Sequence, residues 1–248
     1  NDADLKKLVD TRMSIYNNYL SSQRAEAMPA RQVAIEQIIA SATQMLGDPA
    51  LTPQTKINCL ALMAELDEAP SMPNSSGEAF PPRPAQNAMG TLYGICNSDR
   101  MPNYLRAIAL HGMHRQVGVW WSTWKADKQN AVAAMLEKIV NSEPASALET
   151  ETHAWMVRRA YDCLGVAGSP KVVKKALEHL ADADAIPSVR LSALDYLSRI
   201  DFTAAPDDMK ALYLVGLCHL TRSQLVAWYE KQDNIIKAKS GATGGMGG

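Results

Sequence analysis

The chain is 248 residues long, 47% apolar and only 6% aromatic, with 25 Lys and Arg against 26 Asp and Glu. That length can bury a core without disulfide or metal staples, and a net charge of −1 supplies no global field for nucleic acid or an acidic membrane. No apolar run approaches the ~20 residues that span a bilayer.

Alanine, leucine and methionine outnumber aromatics, which favours close-packed helices. The pattern begins with Leu5, Leu8, Val9, Met13 and Tyr16, a predicted N-terminal capping helix within 1–22. Apolar residues spaced i, i+3, i+4, i+7 mark amphipathic helices. They occur at Ile35, Ile38, Ile39, Ala42; at Ala88, Leu92, Ile95, Cys96; at Val132, Met135, Leu136, Ile139; and at Val173, Ala176, Leu177, Leu180. Each predicts the first helix of a pair. The second helices carry Ile57, Leu60, Ala61, Ala64; then Leu105, Ile108, Ala109, Met113; then Val157, Ala160, Tyr161, Leu164; then Val189, Ala193, Tyr196, Leu197. No strand-like alternation competes with them.

Punctuation falls between these stretches. Gly47 and Pro49 close one helix, and Thr52-Pro53 opens the next with an N-cap and a first-turn proline. Ser146 with Glu149 and Thr221 with Gln224 have the spacing of capping boxes, and Gly165 with Gly168 stops a helix before Ser169-Pro170. Residues 69–84, with Pro70, Pro73, Pro81, Pro82 and Pro84, read as a long loop packed across the edge of the helices, its Phe80–Pro84 stretch favouring polyproline geometry. A last helix pair is expected over 206–239, from Met209, Leu212, Tyr213, Leu217 and from Leu225, Trp228, Tyr229. The glycine-rich 240–248 reads as a flexible tail.

One stretch identifies an architecture. From Asp182 an acidic turn and Pro187 lead into Val189-Arg190, Ala193 and Leu197, and Asp99, Pro102, Leu105-Arg106, Ala109 and Met113 repeat the pattern more weakly. The first-helix stripes start at 35, 88, 132 and 173, so 53, 44 and 41 residues apart, against ~40–47 for HEAT or armadillo units. Over 30–201 the chain resembles the HEAT-repeat, armadillo-like superfamily. It departs from the motif in the third pair, where no arginine precedes Ala160 at the expected offset, and in the first, where Asn58 takes that place. The resemblance implies an all-α fold: a right-handed α-solenoid of stacked antiparallel helix pairs, one domain over 1–239. It implies a scaffold or adaptor that binds a protein or peptide on a curved surface. The alternative within the superfamily is an enzyme similar to DNA glycosylases, with Trp124, Asp127 and Arg158 at the lesion, a reading that the balanced charge disfavours.

Local chemistry is sparse. There is no GxSxG, HExxH, Walker loop or GxGxxG, so no catalytic residue, metal ligand set or cofactor site is assigned. Cys59, Cys96, Cys163 and Cys218 form no CxxC and read as small buried hydrophobes. Unpaired cysteines lean towards a reducing compartment, while a first residue that is Asn leaves an exported form open. The candidate binding residues are Trp120, Trp121 and Trp124, three tryptophans within five residues, with His111 and His114 on the helix before them. The expectation is two buried rings and one, Trp121, presented beside a histidine.

Overall fold

The computed structural model describes residues 2–15, 20, 28–73, 79–201 and 205–243. Among them are ten α-helices and four strands of two or three residues, so the fold is all-α. The helices form two compact units, Asn1–Ser169 and Pro170–Gly248.

The first unit holds α1 (Asp2–Ile15), α2 (Met28–Gly47), α3 (Pro53–Glu65), α4 (Met89–Asn97), α5 (Asn103–Trp120), α6 (Ala126–Val140) and α7 (Thr150–Ala167). The expected pairs form, with α2 on α3, α4 on α5 and α6 on α7. The second helices also pack in series, α3 on α5 and α5 on α7. Each apolar stripe turns inward: Leu60 and Met63, Leu92 and Cys96, Leu105 and Met113, Leu136 and Val140, and Ala160 and Leu164 are all buried. At Gly112 the crossing is too close for a side chain. A Cβ there would stand 3.0 Å from the Ala64 Cβ and 2.8 Å from Leu92 Cδ1.

The boundaries follow the local signals in part. Thr52 caps α3, its hydroxyl accepting from the Thr55 amide, with Pro53 in the first turn. Gly168 takes the left-handed conformation that ends α7 (φ 63°), and the Ser169 amide donates to the Leu164 carbonyl, a glycine-dependent C-cap. Gly165 is not a stop; it lies buried within α7. The Ser146–Glu149 capping box does not form either. Ser146 makes no side-chain cap, because a 3-10 turn over Ala147–Glu149 delays α7 to Thr150.

The proline-rich stretch departs from the extended loop expected. β1 (Asp67–Ala69) pairs antiparallel with β4 (Arg83–Pro84), and β2 (Met72–Pro73) with β3 (Ala79–Phe80), giving two small ladders along one hairpin arm. Prolines are tolerated in strands this short, where few ladder donors are required. The arm's root is fixed to the helices. The buried Asp67 carboxylate pairs with Arg115, Gln116 donates to the Ala85 carbonyl, and Trp120 Nε1 donates to the Pro84 carbonyl at 2.9 Å.

The second unit holds α8 (Val173–Ala181), α9 (Pro187–Ser198) and α10 (Asp207–Thr243). Leu177, Leu180, Val189, Ala193, Tyr196 and Leu197 form its core. Instead of a last pair, α10 is one continuous helix through Thr221 and Gln224. From 217 to 239 the chain has neither Gly nor Pro, and a threonine alone does not break a helix. The helix runs past 240, where the tail was expected to start; residues 244–248 lie outside the described residues. No helix among the described residues is long and apolar enough to cross a membrane.

Candidate functional site

The serial packing of α3, α5 and α7 creates an apolar groove of about 320 Å³ on those helices. Ala61 and Ala64 of α3 and Ala107 of α5 supply a floor of methyl groups. Ile108 and His111 of α5 and Trp155 of α7 line the rest, with the Glu65 carboxylate as the one acid. Small residues leave the space that a leucine at any of these positions would fill. The size sits at the low end of the ~300–1,000 Å³ of ligand pockets and suits one or two apolar side chains. Trp155 is held from α7 itself: the Arg159 guanidinium lies 5.3 Å from its ring centroid and is anchored to Asp162 at 3.2 Å.

His111 is half-buried in this wall. Burial, reinforced by the Arg159 and Arg115 charges, holds its imidazole below the ordinary value. At neutral pH the groove therefore presents a neutral ring. A histidine whose folded value is lowered costs stability when it must take a proton. Its contribution is whole above 6.5 and falls as pH drops through the lowered value. His153 on α7 shifts the same way, chiefly through burial. Urea midpoints should fall between pH 7 and pH 5, and His111→Gln should flatten part of that slope. An unchanged slope would remove His111 as a cause.

The tryptophans occupy a different place. Trp120 ends α5 and is buried, with the Arg83 guanidinium 4.5 Å over its ring. Trp124 is buried beneath the Lys128 ammonium, 4.2 Å away, and burial lowers that lysine's pKa. Trp121 opens the 3-10 turn Trp121–Thr123; its ring is half-buried, 5.8 Å from Trp124, and its carbonyl accepts from Gln129. Trp120 and Trp124 are the two buried rings expected at the α5–α6 junction, while Trp121 is half-buried rather than openly presented. The predicted neighbourhood with His111 is not found. Nine residues separate His111 from Trp120 on one helix, ~14 Å along its axis, and His111 lines the groove together with Trp155. His114 is half-buried on the same helix but does not line the groove. Trp155 and the alanine floor were missed, because a lone tryptophan among apolar helix residues carries no local signal.

A second cleft, of about 390 Å³, lies at the loops after α4 and α6. It is polar and crossed by ion pairs and hydrogen bonds. Lys138 reaches Asp99 at 2.6 Å, Arg106 lies 3.9 Å from Asp99, and Asn103 joins Arg106 to Glu149. Arg106 also donates to the Cys96 carbonyl, ten residues back. These bonds fasten the α4–α5 pair to α6 and to the turn before α7. No set of three His, Cys, Asp or Glu residues that could hold a metal occurs among the described residues. Cys96 and Cys163 are buried, and burial pushes their thiols up. Cys218 is exposed on α10, contrary to the expectation of a buried hydrophobe. No family model, curated protein or solved structure matches the chain.

Proposed function

We propose that the chain is a non-enzymatic interaction module of HEAT-like helical-repeat type, taking an apolar anchor of a protein or peptide in the α3–α5–α7 groove. The observation that carries this reading is the groove itself: methyl floor, Trp155 and neutral His111 walls, on the second helices of three successive pairs. Tryptophan beside a desolvated pocket is the residue type that most often concentrates binding energy. The solenoid reading draws support from a repeated fastening. Arg106 donates to the Cys96 carbonyl and Arg190 to the Leu180 carbonyl, each ten residues upstream, at the C-terminal end of the preceding helix.

The test is selection from a displayed library of 12-residue peptides, on the wild type and on Ala107→Trp, which fills the groove. Peptides carrying a large apolar anchor should enrich only on the wild type. Trp155→Ala should weaken a selected peptide by about 2 kcal/mol, roughly 30-fold. Equal enrichment on Ala107→Trp would overturn the groove as the site. Duplex DNA binding that falls steeply with salt would put the nucleic-acid enzyme ahead of the scaffold.

A further inference from the structure

Among the described residues, α10 packs one face on α8 and leaves apolar side chains of the opposite face exposed. On the inner face Leu220 is buried, and a Cβ on Gly216 would stand 2.5 Å from Leu180 Cγ. His219 bonds the Ala181 carbonyl, and Ser223 accepts from Arg190. At 100° per residue, the opposite face carries Ala211, Leu214, Cys218, Thr221, Leu225, Trp228 and Gln232. Their spacing of 3, 4, 3, 4, 3 and 4 is the a/d rhythm of a coiled-coil seam. Leu214 is 61% exposed, Leu225 53% and Trp228 54%, with Tyr229 beside them at 65%. The seam from 211 to 232 contains no charged residue. A helix that leaves Leu, Leu, Trp and Tyr wet along one stripe is built to be covered.

We infer that the covering element is α10 of a second copy, paired antiparallel about a twofold axis. The seam is self-complementary in one register, in which residue i faces residue 439 − i of the other copy. Leu214 then meets Leu225, Trp228 meets Ala211, and Cys218 meets Thr221, each pairing occurring twice. Leucine faces leucine, tryptophan faces alanine, the small polar layer sits at the centre, and the one charged partner, Asp207 opposite Gln232, stands at the exposed rim. A twofold axis demands this kind of match, since each patch must fit itself. Sliding the pairing by one heptad, to 446 − i, sets Leu225 against Thr221 and Leu214 against Gln232, which wastes the apolar contacts. The paired stretch is ~27 Å long and brings in two tryptophans, each an aromatic surface of ~150–250 Å². The rings are 54% exposed and the leucines 53–61%, so about half of each side chain is left to bury, and the seam sits below the ~1,200 Å² of standard interfaces, in the size range of weak, concentration-dependent association.

Sedimentation across a micromolar concentration series tests the proposal on the whole chain. The expected species has twice the 27.0 kDa chain mass. Leu225→Glu should weaken it by roughly 100-fold or more, because the change enters two symmetry-related layers. Val226→Glu, an equally exposed position off the seam, should leave it intact; circular dichroism checks that both variants remain helical. Orientation is read with a spin label at Glu230→Cys, after Cys59 and Cys218 are changed to Ser. The antiparallel register places the two labels ~32 Å apart along the axis, whereas a parallel pair places them side by side. A monomer at all concentrations, a dimer that tolerates Leu225→Glu, or labels in close proximity would each overturn the proposal. A monomer that cosediments with phosphatidylcholine–phosphatidylserine vesicles would assign the stripe to a membrane surface instead.

Discussion

Trp120→Ala should destabilise the chain by about 3–5 kcal/mol, the largest effect of any single tryptophan change here. The ring is 6% exposed and joins two parts of the first unit, α5 and the hairpin arm. It closes α5, it donates to the Pro84 carbonyl at the root of the hairpin arm, and its face carries the Arg83 guanidinium. Removing it opens a cavity and deprives that carbonyl of its donor. Trp120→Phe keeps most of the apolar contact but loses the indole N–H, so about 1–2 kcal/mol should return as the cost of the bond and the smaller ring. Trp121→Ala, on a half-buried ring, should cost clearly less than Trp120→Ala. Urea denaturation of the three variants checks the order. Equal losses at Trp120 and Trp121 would mean that the junction behaves as one undivided cluster.

Helix positions were legible because they depend on periodicity, which is a local property. The stripes at Ile35, Leu92, Leu136 and Leu177 each fall on a helix with those residues inward. Capping signals were less dependable. Thr52 and Gly168 act as expected, while Ser146 and Thr221 have the right neighbours and the wrong surroundings: one enters a 3-10 turn, the other lies within α10. The hairpin arm was hidden because its strands are held by partners across the chain, Asp67 by Arg115 and Pro84 by Trp120. A proline-rich string does not encode such partners. The groove was illegible for the same reason. Ala61, Ala107 and Trp155 come from three separate helices, and the groove exists only where those helices bring the small alanines beside the large ring. Of the groove's lining only His111 was readable from the sequence, as a polar residue on an otherwise apolar helix face.

Arg190 makes the sharpest test of the repeat architecture, because its side chain is 1% exposed. Its Nε donates to the Leu180 carbonyl at 3.3 Å and its Nη1 to Ser223 Oγ at 3.3 Å, so one guanidinium ties α9 to both α8 and α10. Leu180 lies in the last turn of α8, where carbonyls lack helical donors and the helix dipole favours a cation. Arg190→Ala would leave that carbonyl buried without its donor and remove a long packed stem. It should cost about 2–4 kcal/mol. Arg190→Met restores the stem without the donor and should recover roughly half of the loss, since apolar replacement of a buried charge is often tolerated. Arg106 uses the same carbonyl ten residues upstream, but its side chain is 16% exposed and Asp99 stands nearby. Water can replace part of what its removal takes away, so Arg106→Ala should cost about 1–2 kcal/mol. The ordering Arg190→Ala, then Arg190→Met and Arg106→Ala, measured by urea unfolding, identifies the arginine as a fastener of helix pairs. A loss below about 0.5 kcal/mol at Arg190, the range of an ordinary surface change, would reduce it to a solvated side chain and remove the strongest support for a HEAT-like repeat.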